Sequence, residues 1–318
     1  MADFSFEENY HEMVYFPLTF SALISPLLSA LATTTVVLIS LIYKFYKRPL
    51  SFMVLAINTA HVLFCFSKLS VLVFQPRSSF HCSIIGIINV FGLESAALWG
   101  ALFAHAFYIT LKYQCIDKIP SIMKYYLIIA VLFPLINGII SALTNYFVYS
   151  PTAETCVHRI VYGKFDIFVN LYAIFPIWLA CIGSIVWYKM AINKISDLHS
   201  AEAGGEMWVL MIYPGVMLVC WSPNLVAQTA IQFGATPSST LTNSFLFLVN
   251  LQGFFDAVVY GKSVKEVVRD SISGYFGKKR SNTNETVMLD DMNHRGISSS
   301  EEYLLTSGEF VESINSSQ

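Results

Sequence analysis

Residues 82–111 read CSIIGIINVFGLESAALWGALFAHAFYITL, an unbroken apolar run in which Glu94 is the single Asp, Glu, Lys or Arg. A helix needs about 20 mostly apolar residues to cross the hydrocarbon core of a bilayer, so this run is long enough. A barrel strand is a segment of about 10 residues with alternating hydrophobicity, which a continuous run does not match. Six further runs have the same character: Leu18–Tyr43, Leu50–Phe74, Tyr125–Tyr146, Phe165–Tyr188, Met207–Phe233 and Leu241–Tyr260. The expected fold is all-α, a bundle of seven transmembrane helices over residues 18–260. Pro26, Pro134, Pro176, Pro214 and Pro223 fall inside the runs. In a bundle, neighbouring helices and water satisfy the backbone groups that proline frees.

Composition agrees. Of 318 residues, 55% are apolar and 13% charged, with a mean hydropathy of +0.58. Soluble domains carry about 25% charged residues, so this chain cannot cover a water-facing globule. A soluble enzyme and a disordered protein are both excluded. The net charge of −2 hides an asymmetry: Asp3, Glu7, Glu8 and Glu12 precede the first run, whereas residues 261–280 hold six basic side chains.

Loop charge sets the orientation. One set of loops holds Arg77, Arg159 and Lys164. The other holds Lys44, Lys47, Arg48, Lys112, Lys118, Lys124, Lys189 and Lys194, and the tail adds seven more. The N-terminus, residues 1–17, is therefore expected outside and the tail in the cytoplasm. The sequons at Asn284 and Asn315 lie in that tail and are outweighed by the charge count. No cleavable signal is expected, since the N-terminus lacks a basic region. Of six cysteines, only Cys82 and Cys156 fall on the outer side, which reads as a disulfide pinning a loop over the bundle mouth.

In residues 261–280, Val264, Val267, Val268, Ile272, Tyr275 and Phe276 share one helical face and Lys278, Lys279 and Arg280 follow. This predicts an amphipathic helix on the inner leaflet, in contact with membrane lipid. Residues 281–318 are expected to be disordered. Their eleven Ser and Thr, including Ser298, Ser299 and Ser300, are either phosphorylation sites or part of a solvating tail.

Ionisable groups inside a bilayer are costly and usually functional. The runs contain Lys68, Glu94, Asp166 and Asp256, with His61 and His105. By helical rise, Lys68 and Glu94 are close enough in depth to pair, or Lys68 snorkels outward alone. Asp166 either caps its helix or faces a ligand. Asn58, His61, His105 and Asp256 lie at similar depth in the cytoplasmic half, as a polar switch network or as separate satisfied groups. No Lys stands in the last run for a retinal Schiff base, no H-E-x-x-H occurs, and no inverted repeat is visible. Neither a cofactor nor nucleic acid is called for.

Three motifs then matter together. The third run carries Leu98-Trp99, the sixth Cys220-Trp221-Ser222-Pro223-Asn224, and the seventh Gln252-Gly253-Phe254-Phe255-Asp256-Ala257-Val258-Val259-Tyr260-Gly261. With these motifs the chain resembles the cyclic-AMP-receptor-like, slime-mould type (class E) family of G-protein-coupled receptors over roughly residues 15–275. That family is distantly similar to secretin-like receptors. The resemblance implies a plasma-membrane receptor, not an enzyme, that activates a heterotrimeric G protein. It also implies a Cys82–Cys156 bridge and a tail recognised by receptor kinases and an arrestin-like protein. The chain departs from the family pattern at Val157, where a Trp is usual, at Asp256, where an Asn is usual, and at His61, near which an acid is common.

The expected mechanism follows. A small extracellular ligand touches some of Lys68, Glu94, Arg159, Asp166 and Trp221. The sixth helix bends at Pro214 or Pro223. A Gα subunit enters a cavity rimmed by Lys44, Lys47, Arg48, Lys112, Lys118 and Lys194. A non-signalling scaffold and a membrane transporter are the alternatives.

Overall fold

The computed structural model describes residues 17–47, 49–74, 79–113, 118–150, 155–158, 174–197, 204–235, 238, 241 and 244–261. All lie in one unit, Met1–Gly261. The surface helix expected within 261–280 (beyond Gly261), the tail with Ser298, Ser299 and Ser300, the N-terminal residues 1–16, and Arg48, Arg159 and Asp166 fall outside the described residues.

Helices dominate. They are α1 (Pro17–Ile42), α2 (Pro49–Phe74), α3 (Ser79–Tyr113), α4 (Lys118–Leu127), α5 (Phe133–Leu143), α6 (Phe175–Asp197), α7 (Gly204–Gln232) and α8 (Ser244–Gly261). A π-helical stretch, Ile128–Leu132, fuses α4 and α5 into one rod. Among the described residues, six helices are long and apolar enough to cross a membrane: α1, α2, α3, the α4–α5 rod, α6 and α8. α7, of 29 residues, runs without a break through Pro214 and Pro223. The helix of the fifth run ends later than its hydropathy suggests, continuing to Asp197.

α3 is the axis of the bundle. Its 35 residues rise about 52 Å, well beyond a hydrocarbon core of about 30 Å. It packs against α2, α5, α6 and α7. The approach to α2 depends on Gly92: a Cβ there would lie 2.6 Å from the Phe64 nitrogen and 2.8 Å from the Ala60 carbonyl oxygen. Only a residue without a side chain lets two helix backbones touch this closely.

The π-helical stretch has a local cause. Pro134 has no N–H to offer the Ala130 carbonyl four residues earlier, and its ring crowds that position. The backbone widens so that the Phe133 N–H reaches Ile128 O. The hydroxyl of Ser95 on α3 donates to the freed Ala130 carbonyl at 2.6 Å.

The described residues are almost entirely helical, as expected, with one element that the all-α reading did not include. Beyond α5 the chain forms an antiparallel hairpin, β1 (Phe147–Ser150) with β2 (Thr155–His158), pairing Tyr149 with Cys156. α5 stops in a left-handed cap at Asn145 (φ 55°), where Asn145 N–H donates to Ala142 O and Tyr146 N–H to Ser141 O. Dismissing strands by length applies to membrane-crossing strands. It does not reach a four-residue pair in a loop, where aromatic and β-branched residues such as Phe147, Val148, Tyr149 and Val157 favour extended backbone.

Candidate functional site

At one end of α3 the hairpin is fixed by a disulfide between Cys82 and Cys156, whose Cα atoms are 5.4 Å apart. Val71 of α2 and Ile85 of α3 close around the bridge. The Phe147 ring fills the space a side chain would take at Gly86. Asn89 Nδ2 donates to the Cys156 carbonyl at 3.5 Å. The hairpin is thereby tied to the ends of α2 and α3.

Deeper in the bundle a chain of polar side chains crosses three helices. His61 Nε2 on α2 is 3.3 Å from Asp256 Oδ2 on α8. Gln252, one turn earlier on the same face of α8, donates from Nε2 to that oxygen at 3.2 Å. Trp221 on α7 donates from its indole Nε1 to Gln252 Oε1. All four residues are at most 2% exposed. Gly253 sits inside this relay, and a Cβ there would collide with the Ser29 hydroxyl and the Thr33 methyl of α1. Buried polar groups are expensive unless bonded, so relay members that move must exchange partners rather than lose them.

The expected polar network divides. His61 and Asp256 meet, but Asn58 turns its Nδ2 to the Val54 carbonyl at 2.8 Å. His105 belongs to a separate cluster: its Nδ1 shares a hydrogen bond of 2.6 Å with the Tyr126 hydroxyl, and its ring lies 4.7 Å from that of Trp187. That cluster joins α3 to α4 and α6. Similar depth is not enough for contact, because rotation about each helix axis decides which neighbour a side chain faces.

The expected ligand residues separate too. Both carboxyl oxygens of Glu94 accept from Asn137 Nδ2 of α5, at 2.7 and 2.8 Å. Glu94 forms no ion pair with Lys68, whose ammonium lies over the Phe64 ring, 5.5 Å from its centroid. Trp221 is sealed in the relay rather than open at the bundle mouth. Among the lysines, Lys44 and Lys47 are exposed between α1 and α2, and Lys194 lies in the last turn of α6. Lys112 stands over Tyr108 and Tyr113 near the end of α3. Lys118 opens α4.

Sequence reasoning missed Asn137, Ser95, Tyr126 and Trp187. Asn137 carried a usable signal, an amide deep in an apolar run, because such a group needs a partner from another helix. Ser95 was legible only together with Pro134.

Among the described residues, no group of three or more His, Cys, Asp or Glu is placed to hold a metal ion. The class so defined is a helical membrane protein with a stapled loop at one end and a buried polar relay. No protein-family model matches the chain, and no curated protein sequence matches it.

Proposed function

We propose that this chain is a seven-helix receptor that couples an extracellular small ligand to a heterotrimeric G protein. The seven spans are α1, α2, α3, the α4–α5 rod, α6, α7 and α8. The N-terminus is outside the plasma membrane and the tail is in the cytoplasm, as the lysine and arginine distribution argues. The observation that carries the reading is the relay His61–Asp256–Gln252–Trp221, because it couples three helices through side-chain contacts rather than packed backbone. A ligand that prefers one arrangement shifts the population toward it. Displacement of α7 then opens a surface edged by Lys44, Lys47, Arg48, Lys112, Lys118 and Lys194 for a Gα subunit. The resemblance to cyclic-AMP-receptor-like proteins supports the same reading.

The test is nucleotide exchange on a panel of purified Gα subunits with Gβγ, using the chain in nanodiscs with and without cyclic AMP. Exchange above that with a Cys156→Ala variant is the expected result. A Gln252→Leu variant, which cuts the relay between α7 and α8, should alter basal exchange. Absence of exchange on every subunit, with and without the nucleotide, would overturn the receptor reading.

A further inference from the structure

Two lysines have no part in the receptor reading, and both stand where a charge is costly. Lys124 on α4 and Lys189 on α6 each lie about 7.5 Å, five residues, inside a stretch apolar enough to cross a membrane, Ile119–Leu143 and Phe175–Lys194 respectively. Both lysines are exposed. Lys124 is one turn before the exposed Ile128 and Lys189 one turn after the exposed Ile185, so each shares a face with side chains that meet lipid. Among the described residues, neither forms an ion pair with a carboxylate. The Lys124 ammonium lies over the Tyr125 ring, 5.1 Å from its centroid.

The His105 cluster brings these two positions to one strip of the bundle. Both α4 and α6 pack on α3. His105 of α3 bonds Tyr126, two residues from Lys124, and its ring lies beside that of Trp187, two residues from Lys189. The two lysines therefore flank the same strip of α3 at the same depth. Two turns along that strip, on the face of His105, Lys112 is exposed with its ammonium over the Tyr108 ring. His105 and Tyr108 are only half-buried, so α4 and α6 do not seal the strip between them.

A lysine that faces lipid extends its ammonium toward the headgroups, and basic clefts between membrane helices hold headgroups of negative charge. We propose that the strip of α3 between α4 and α6 is a binding site for an anionic phospholipid of the bilayer. Lys124 and Lys189 hold its headgroup from either side, with Lys112 nearer the helix end, and its acyl chains run along the faces of Ile128 and Ile185. Charge complementarity fixes the class of lipid. A zwitterionic headgroup brings a cation of its own and gains less from three lysines. The bound lipid ties α4 to α6 across the His105 cluster.

Native mass spectrometry of the full chain in detergent tests this, with phosphatidylserine and phosphatidylcholine of the same acyl chains titrated in turn. No G protein or receptor ligand is present, so failure here leaves the receptor reading standing. The first phosphatidylserine should bind several-fold more tightly than the first phosphatidylcholine. The double variant Lys124→Gln with Lys189→Gln should lose most of that preference. Both positions are exposed, so glutamine leaves the packing intact. Lys44→Gln with Lys47→Gln, which removes the same charge from the turn between α1 and α2, should keep it. Equal binding of the two lipids, or an equal loss of preference in the two double variants, would overturn the proposal.

Discussion

Helix α2 meets two neighbours by opposite means. Against α3 it presents backbone, with Phe64 and Ala60 seated on Gly92. Against α8 it presents a side chain, His61, whose Nε2 lies 3.3 Å from Asp256 Oδ2. In lipid no hydrophobic force draws helices together, so close packing and polar contacts must hold them. The first seam admits one arrangement, because packed backbones do not compress. The second is held by side chains that can change rotamer and partner. The molecule therefore combines a rigid seam at its axis with an adaptable one beside it.

The sharpest way to break the rigid seam is Gly92→Ala. The new Cβ would meet backbone that cannot step aside, at a cost of about 3 kcal/mol, the upper end for overpacking. A clear fall in thermal midpoint in nanodiscs is expected. Gly215→Ala is the control, since nothing lies within 4 Å of its Cβ position. There the better helix propensity of alanine is worth about 0.5–1 kcal/mol, so the midpoint should hold or rise. Equal effects at the two glycines would remove the distinction.

At the adaptable seam, Asp256→Ala strips the acceptor of Gln252 and the carboxylate beside His61, and should cost about 2 kcal/mol by the same assay. The double-mutant cycle of His61→Ala with Asp256→Ala should give a coupling of about 1 kcal/mol. Zero coupling would mean that the two groups are satisfied independently and that the relay is not a unit.

The smallest effect belongs to Ser95→Ala, about 0.6 kcal/mol, the usual worth of one hydrogen bond between helices in a bilayer. It should shrink further in a Pro134→Ala background. There the alanine N–H can bond the Ala130 carbonyl that Ser95 now serves. An unchanged Ser95→Ala effect would show that the hydroxyl does more than replace the bond proline removes.

Hydropathy made the helices legible because a bilayer demands long apolar runs wherever a chain crosses it. The Cys82–Cys156 bridge was legible for a related reason, since the charge count divides the loops into two sets and leaves two cysteines on the side expected outside. Lys68 and Glu94, which depth alone left either to pair or to stand apart, show where such reasoning ends. Depth follows from counting residues, but Glu94 turns to Asn137 on another helix. His105 likewise turns to Tyr126 and Trp187 rather than to His61.

By itself the sequence determined the crossing helices and the residues too polar to face lipid, because transfer energies act residue by residue. Tertiary structure decided which of those polar groups meet, because that depends on the rotation of every helix against all its neighbours. It also decided the hairpin and the π-helical stretch. Both arise where a chain must satisfy backbone groups that no periodic pattern announces.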